Sequence, residues 1–189
     1  SGSKALALVT AGPGLTNCVT AIAGAYMESR ELLVIGGQVK TSDLSNGQLR
    51  QRGIQEIDGT KLLESVTKNS IRLLEPLSKL EIFNLINSGR TGKPGPVFIE
   101  LPLDIQAKNC IADTQVNNLS KPEDFNNFED EVIVDLLKAK RPLLLLGGGL
   151  SRAKVSELYP KLRKLPIPIM TTWNGADLYS SYEKNYWGR

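Results

Sequence analysis

The sequence predicts an α/β fold built on a parallel sheet, and three observations carry that prediction. Short, continuous apolar runs at residues 6–10, 31–36, 97–101 and 142–146 are bounded by glycine or proline. Runs of this kind read as strands covered on both faces, the condition of a parallel sheet. Between them lie longer segments with helical spacing of apolar residues, and alternation of strand with helix is the signature of βαβ units. A polar stretch rich in Asn and Asp, residues 109–128, interrupts the alternation and reads as a linker between two domains.

Each element follows from local chemistry. After the strand at 6–10 the chain turns at Gly12-Pro13-Gly14 and restarts as a helix over 16–29, with Thr16 or Asn17 placed to cap it. Ala21, Ala23, Gly24 and Ala25 permit that helix to pack closely on the sheet. The second strand, 31–36, ends at Gly36-Gly37. Residues 38–59 are polar and aperiodic, and so long a stretch inside a domain is usually functional or disordered. A helical turn at 60–64 and an extended segment at 65–71 follow. Leu77, Leu80, Ile82, Phe83, Leu85 and Ile86 predict a helix over 76–88 with Pro76 in its first turn. A turn cluster at 91–96 leads into the strand at 97–101, stopped by Pro102. Beyond the linker, a helix at 130–140, a strand at 142–146, Gly147-Gly148-Gly149, a helix at 152–164 and a strand at 167–171 open a second α/β domain. Two strands are too few for a stable doubly wound sheet.

Composition narrows the function classes. With 189 residues, 41% hydrophobic and 23% charged, the chain is an ordinary globular protein of one large or two small domains. The net charge of +3 is spread along the sequence and aromatics are few, which argues against a nucleic-acid partner. Arg50-Gln51-Arg52 reads as a solvated loop. No stretch approaches the roughly 20 apolar residues that cross a bilayer, so no membrane partner is expected. Cys18 and Cys110 are far apart and lack a metal-binding spacing, in keeping with a cytoplasmic, reduced setting. There is no histidine, so a histidine base would have to come from outside this chain.

Read in order, the segments GPGLTN (12–17), LLVIGGQV (32–39), IQEID (54–58), VTK (66–68), GKPGPVFIELPLDIQ (92–106) and RPLLLLGGGLSRA (141–153) resemble the thiamine diphosphate enzymes, most closely the acetolactate synthase branch. The resemblance implies a pyrimidine-binding (PYR) domain over 1–108, incomplete at its start, and the beginning of a Rossmann-like central domain over 129–189. It implies that Gly12, Pro13, Gly14 and Asn17 lie beside the cofactor's aminopyrimidine ring. Gln38 would reach the same edge, Gln55 would be the active-site amide and the catalytic candidate of this chain, and Lys68 would stand near the substrate channel. Ile54 replaces the family's usual Phe. Gly147, Gly148 and Gly149 resemble a dinucleotide fingerprint in which Arg152 replaces the third glycine. Some relatives hold FAD there and others keep the fold without flavin. The family's activating glutamate and its Mg²⁺–diphosphate motif have no counterpart here, so no metal site is expected in this chain. The resemblance therefore implies an internal piece, inactive alone, of a homodimeric or homotetrameric enzyme that decarboxylates pyruvate and joins it to a second 2-oxo acid.

Three other readings remain open. One is a thiamine-dependent 2-oxo acid decarboxylase or oxidase, and another a non-catalytic interaction or regulatory module. A dinucleotide-binding oxidoreductase would rest on Gly147-Gly148-Gly149 alone.

Overall fold

In the computed structural model, which describes residues 5–109 and 126–189, all paired strands run parallel. The chain divides into two compact units, within residues 3–119 and 120–189.

The first unit contains β1 (Ala5–Val9), α1 (Pro13–Thr16), α2 (Val19–Met27), β2 (Leu32–Gln38), α3 (Gly59–Leu63), β3 (Asn69–Arg72), α4 (Lys79–Asn87), β4 (Pro96–Pro102) and α5 (Leu103–Gln106). Its sheet has the order β1-β2-β4-β3. The chain steps from β1 to β2 to β3 and then returns to β4. Right-handed crossovers put helices on opposite faces when that direction reverses. Accordingly Ile22 of α2 and Leu63 of α3 pack with Leu15, Val34 and Phe98 on one face. Leu85 and Ile86 of α4 pack with Val97 and Ile99 on the other.

Several boundaries differ from the sequence expectation. The helix expected over 16–29 begins at Pro13 and is broken into α1 and α2. Gly12, at φ 62°, turns the chain and Pro13 starts the helix. Asn17 ends α1, and the Thr16 hydroxyl donates back to the Pro13 carbonyl, so neither caps α2. β2 continues through Gly36-Gly37 to Gln38. Gly36 serves packing there, because a Cβ would stand 2.9 Å from the Phe98 ring. α4 starts at Lys79 rather than Pro76, because Ser78 and Glu81 form a capping box.

The second unit contains α6 (Asn126–Lys138), β5 (Leu144–Leu146), α7 (Arg152–Leu162), β6 (Ile169–Thr171) and β7 (Tyr186–Gly188). α6 begins inside the expected linker, and residues 110–125, with Cys110, lie outside the described residues. The sheet order is β5-β6-β7. The expectation of two strands is corrected to three, since Tyr186-Trp187-Gly188 is too short to show any periodicity. Val155 and Leu162 of α7 pack with Leu146, Ile169, Leu178 and Tyr179.

Both sheets leave apolar surface uncovered. β1 has no outer neighbour among the described residues, and its Leu6 and Leu8 are 64% and 77% exposed. Leu145 and Trp187 are likewise exposed in the second unit. No helix among the described residues is long and apolar enough to cross a membrane.

Candidate functional site

The carboxyl edge of the first sheet brings together two segments far apart in sequence. After β1 the chain passes through Gly12, which is buried and has positive φ. The peptide of Gln55 packs directly against it. A Cβ on Gly12 would collide with the Gln55 carbonyl and stand 3.0 Å from the Gln55 Cβ. Gln55 itself has φ 57°, a left-handed backbone uncommon for a residue with a side chain. Such strain persists only where its surroundings over-determine it.

Those surroundings are built by Glu56. Its carboxylate is 9% exposed and accepts four hydrogen bonds. Oε1 takes the Ser45 amide at 2.7 Å and the Ser45 hydroxyl at 2.8 Å. Oε2 takes the amides of Arg52 at 2.9 Å and Gly53 at 3.1 Å. Burial raises the Glu56 pKa, but the hydrogen bonds from Ser45, Arg52 and Gly53 outweigh it and bring the carboxyl down to about 2. Residues 38–59, which looked functional or disordered, are therefore folded around one buried charge.

A second network fixes the other side of Gln55. The Gln38 side chain, 5% exposed, donates to the Ile57 carbonyl at 2.8 Å and to Glu100 Oε1 at 3.1 Å. Its oxygen accepts the Val39 amide at 2.9 Å. Glu100 is 1% exposed and also accepts the Gly59 amide at 3.2 Å and the Arg72 guanidinium. Burial pushes its pKa up despite Arg72, Gln38 and Gly59. Arg72 also reaches Asp58 at 3.4 Å. Burial opposes ionisation of Asp58, yet the Lys61 amide, the Thr60 hydroxyl and Arg72 hold its pKa below the ordinary value. Asp104 accepts the Thr41 amide at 2.9 Å and its hydroxyl at 2.6 Å, anchoring the start of the loop.

The expected site residues separate into three groups. Gly12 and Gln55 are brought into contact, and Pro13, Gly14 and Asn17 follow Gly12 along the turn and α1. Asn17 and Gln55 are exposed, and their side-chain amides make no hydrogen bond within the described residues. A hollow of about 300 Å³ on the same sheet edge is lined by Leu8, Thr10, Ile35, Gly37, Leu101 and Gln106, among others. Gln38 is close by, but both its amide hydrogens are bonded internally. Lys68 lies at the opposite edge. It precedes β3, its amide donates to the Pro96 carbonyl at 2.8 Å, and its ammonium donates to the Thr91 carbonyl.

Nothing in the sequence singles out Glu56 or Glu100 as the centres of these networks. Most donors to Glu56 are backbone amides, which carry no signature in a sequence.

The glycines of the turn make room for protein neighbours: a Cβ on Gly12 would meet Gln55, and one on Gly14 would stand 2.7 Å from Thr10 Cγ2. A flat heteroaromatic cofactor ring would meet polar groups at this edge. Two free amides offer both donors and acceptors for ring nitrogens. Among the described residues no group of three or more His, Cys, Asp or Glu is arranged to hold a metal ion.

Residues 1–62 match the family model described as the thiamine pyrophosphate enzyme N-terminal TPP binding domain. The chain is similar to the acetolactate synthase large subunit of Lactococcus lactis, 34% identical over 188 residues, which covers 93% of this chain and 31% of that protein. The probable acetolactate synthase large subunit of Methanocaldococcus jannaschii is 32% identical over 191 residues, covering 95% and 31%. Acetolactate synthase isozyme 1 large subunit of Escherichia coli K12 is 36% identical over 170 residues, covering 85% and 29%. Nearly the whole chain is thus similar to acetolactate synthase large subunits, and its first 62 residues match a thiamine pyrophosphate enzyme domain. It spans about a third of the length of the curated relatives it matches.

The glycine loop of the second unit is held differently. Gly147-Gly148-Gly149 follows β5 and precedes α7, whose Ser151 cap accepts the Lys154 amide at 3.1 Å. A Cβ on Gly148 would stand 2.7 Å from Asn174 Cβ, while Gly149 faces open space. Arg152 is paired with Asp177 through two bonds, at 2.5 and 3.0 Å. The Thr171 hydroxyl, at the end of β6, is buried without a hydrogen-bond partner.

Proposed function

We propose that this chain supplies the cofactor-ring side of a thiamine diphosphate-dependent acetolactate synthase-like active site. The parent enzyme decarboxylates pyruvate and joins the remaining two-carbon unit to a second 2-oxo acid. The observation that carries the reading is the junction of Gly12 with Gln55. It places the free amides of Asn17 and Gln55 at the carboxyl edge of a parallel sheet, where α/β folds bind ligands.

When bound, thiamine diphosphate supplies the electron sink for decarboxylation of a 2-oxo acid. This chain's residues bind and orient. Gly12, Pro13 and Gly14 offer a backbone wall for the ring. Asn17 and Gln55 hydrogen-bond its polar atoms. Gln38 acts indirectly, by holding the Ile57 carbonyl. Mg²⁺ and the diphosphate group are assigned to another part of the parent protein. Lys68 joins the substrate channel only in a homodimer or homotetramer, where a second copy brings its sheet edge to the site. FAD at Gly147–Gly149 is a separate proposal, supported by the open space at Gly149 and the unpartnered Thr171 hydroxyl. A flavin titration followed by absorbance tests it. The assembly is expected in the cytoplasm.

The test is an assay of the full-length protein with pyruvate, thiamine diphosphate and Mg²⁺, with products identified. Acetolactate supports the proposal. Acetaldehyde or peroxide in its place establishes a decarboxylase or oxidase instead. The absence of thiamine diphosphate binding leaves an interaction module. This chain alone is expected to form no acetolactate.

A further inference from the structure

We propose that Glu56 is a positioning residue for the cofactor ring: its carboxylate gathers Ser45, Arg52 and Gly53 so that Gln55 is held against Gly12, and this contact sets the turn that runs into Asn17. Glu56 itself lies in the loop and is almost fully buried, so it does not present its carboxylate to a ligand. Its influence travels through packed backbone. The Gly53 end of the loop is fixed against the side chain of Val39, just past β2, where a Cβ on Gly53 would collide with it. The Ser45 end is held by both the amide and the hydroxyl of that residue. Between these anchors Gln55 has little choice but its left-handed backbone, and its carbonyl fills the space that a side chain on Gly12 would need. The Gly12 turn in turn organises α1, through the bonds from the Thr16 amide to the Gly12 carbonyl and from the Asn17 amide to the Pro13 carbonyl. Removing the charge at residue 56 therefore loosens a turn forty-odd residues away in sequence.

A buried carboxylate with four donors is strongly selective for its ionised form. Glutamine at this place can accept with its oxygen only, while its NH₂ meets the donors that the second carboxylate oxygen had satisfied. Two amides are then left unpaired, and an unpaired buried donor is costly. Gln55 and the turn relax together, because the contact between them is backbone against backbone.

The part of this inference that concerns the ligand rests on the proposed function; the coupling between Glu56 and the Gly12 turn does not. The experiment separates them. Hydrogen–deuterium exchange is measured on the full-length protein and its Glu56→Gln variant, together with the dissociation constant for thiamine diphosphate and the split between its apparent KM and kcat. The expected result is faster exchange at the amides of Thr16, Asn17 and Cys18 as well as at Ser45, Arg52 and Gly53. The cofactor dissociation constant and its KM rise on the order of tenfold while kcat changes less. Glu56→Asp, which keeps the charge, recovers part of the protection at Thr16 and Asn17. Faster exchange confined to Ser45, Arg52 and Gly53, with unchanged cofactor affinity, overturns the proposal and leaves Glu56 as a local loop clamp. If the unsubstituted protein does not bind thiamine diphosphate, the functional reading fails, and exchange at Thr16 and Asn17 still decides the coupling. Should Glu56→Gln not fold, Ser45→Ala removes one of the four bonds and gives the same pattern at smaller amplitude.

Discussion

Gly12-Pro13-Gly14 and Gly147-Gly148-Gly149 occupy equivalent places, each at the carboxyl end of a strand and before a helix, yet they are held by different means. The first is locked by a segment some forty residues later, through a backbone contact that a buried carboxylate sustains. The second rests on Asn174, in the turn that follows the neighbouring strand, with an exposed ion pair from Arg152 to Asp177 just after it. Local support makes a loop robust and independent. Remote support makes it sensitive to a single charge, and also makes its shape tunable.

Four substitutions and one matched control probe that difference, in falling order of expected effect. Gly12→Ala adds a methyl group where the Gln55 carbonyl lies and does so at positive φ. It should cost about 3 kcal/mol in urea unfolding of the first unit, from overpacking and backbone strain together. A loss below about 1 kcal/mol would show that the two segments separate easily.

Glu56→Gln should cost about 2 kcal/mol near neutral pH. Because the folded-state pKa is about 2 against an ordinary value of 4.5, the contribution of ionised Glu56 is complete above about pH 4.5 and is lost as pH falls through 2. The gap between parent and variant should accordingly narrow from pH 5 to pH 3. A gap independent of pH would mean that the carboxylate is not the source.

Gly148→Ala meets Asn174 at 2.7 Å without a positive φ, and should cost roughly 1 kcal/mol. Gly149→Ala, with nothing nearby, is the matched control and should change little. An equal loss in both would show that the Asn174 contact is not the source, since replacing glycine by alanine at a compatible backbone otherwise favours the folded state. Arg152→Ala removes a surface pair whose side chains are 42% and 56% exposed, and thermal melts should register under about 1 kcal/mol.

What could be read in advance follows from the range of the interactions. The strands were legible because burial on both faces demands uninterrupted apolar runs, as in Leu32–Ile35 and Val97–Ile99. The helix start at Ser78 carried a legible signal too, in Ser78 and Glu81, although Pro76 drew attention from it. β7 gave none, because three residues cannot display a period. Within the site, Gly12 and Gln55 stood out only through family resemblance. Their contact depends on where residues 38–59 fold back, and that depends on Glu56 meeting amides that every residue but proline possesses. Lys68 shows the reverse case: it sits just thirteen residues from Gln55, yet α3 carries the chain across the sheet between them.

The outer side of β1, which no strand among the described residues covers, bears on how the chain behaves in bulk. A strand at the end of a sheet offers unpaired N–H and C=O groups to any extended segment, and Leu6 and Leu8 add an adhesive surface beside them. β3 lies at the other end of the same sheet, and among the described residues its outer side has no strand partner either. Joining one end to the other is a head-to-tail contact, which need not close on itself and presents a fresh end after every addition. The colloidal fate of this chain in concentrated solution is therefore set by who reaches that outer strand first, a covering partner or another molecule of its own kind.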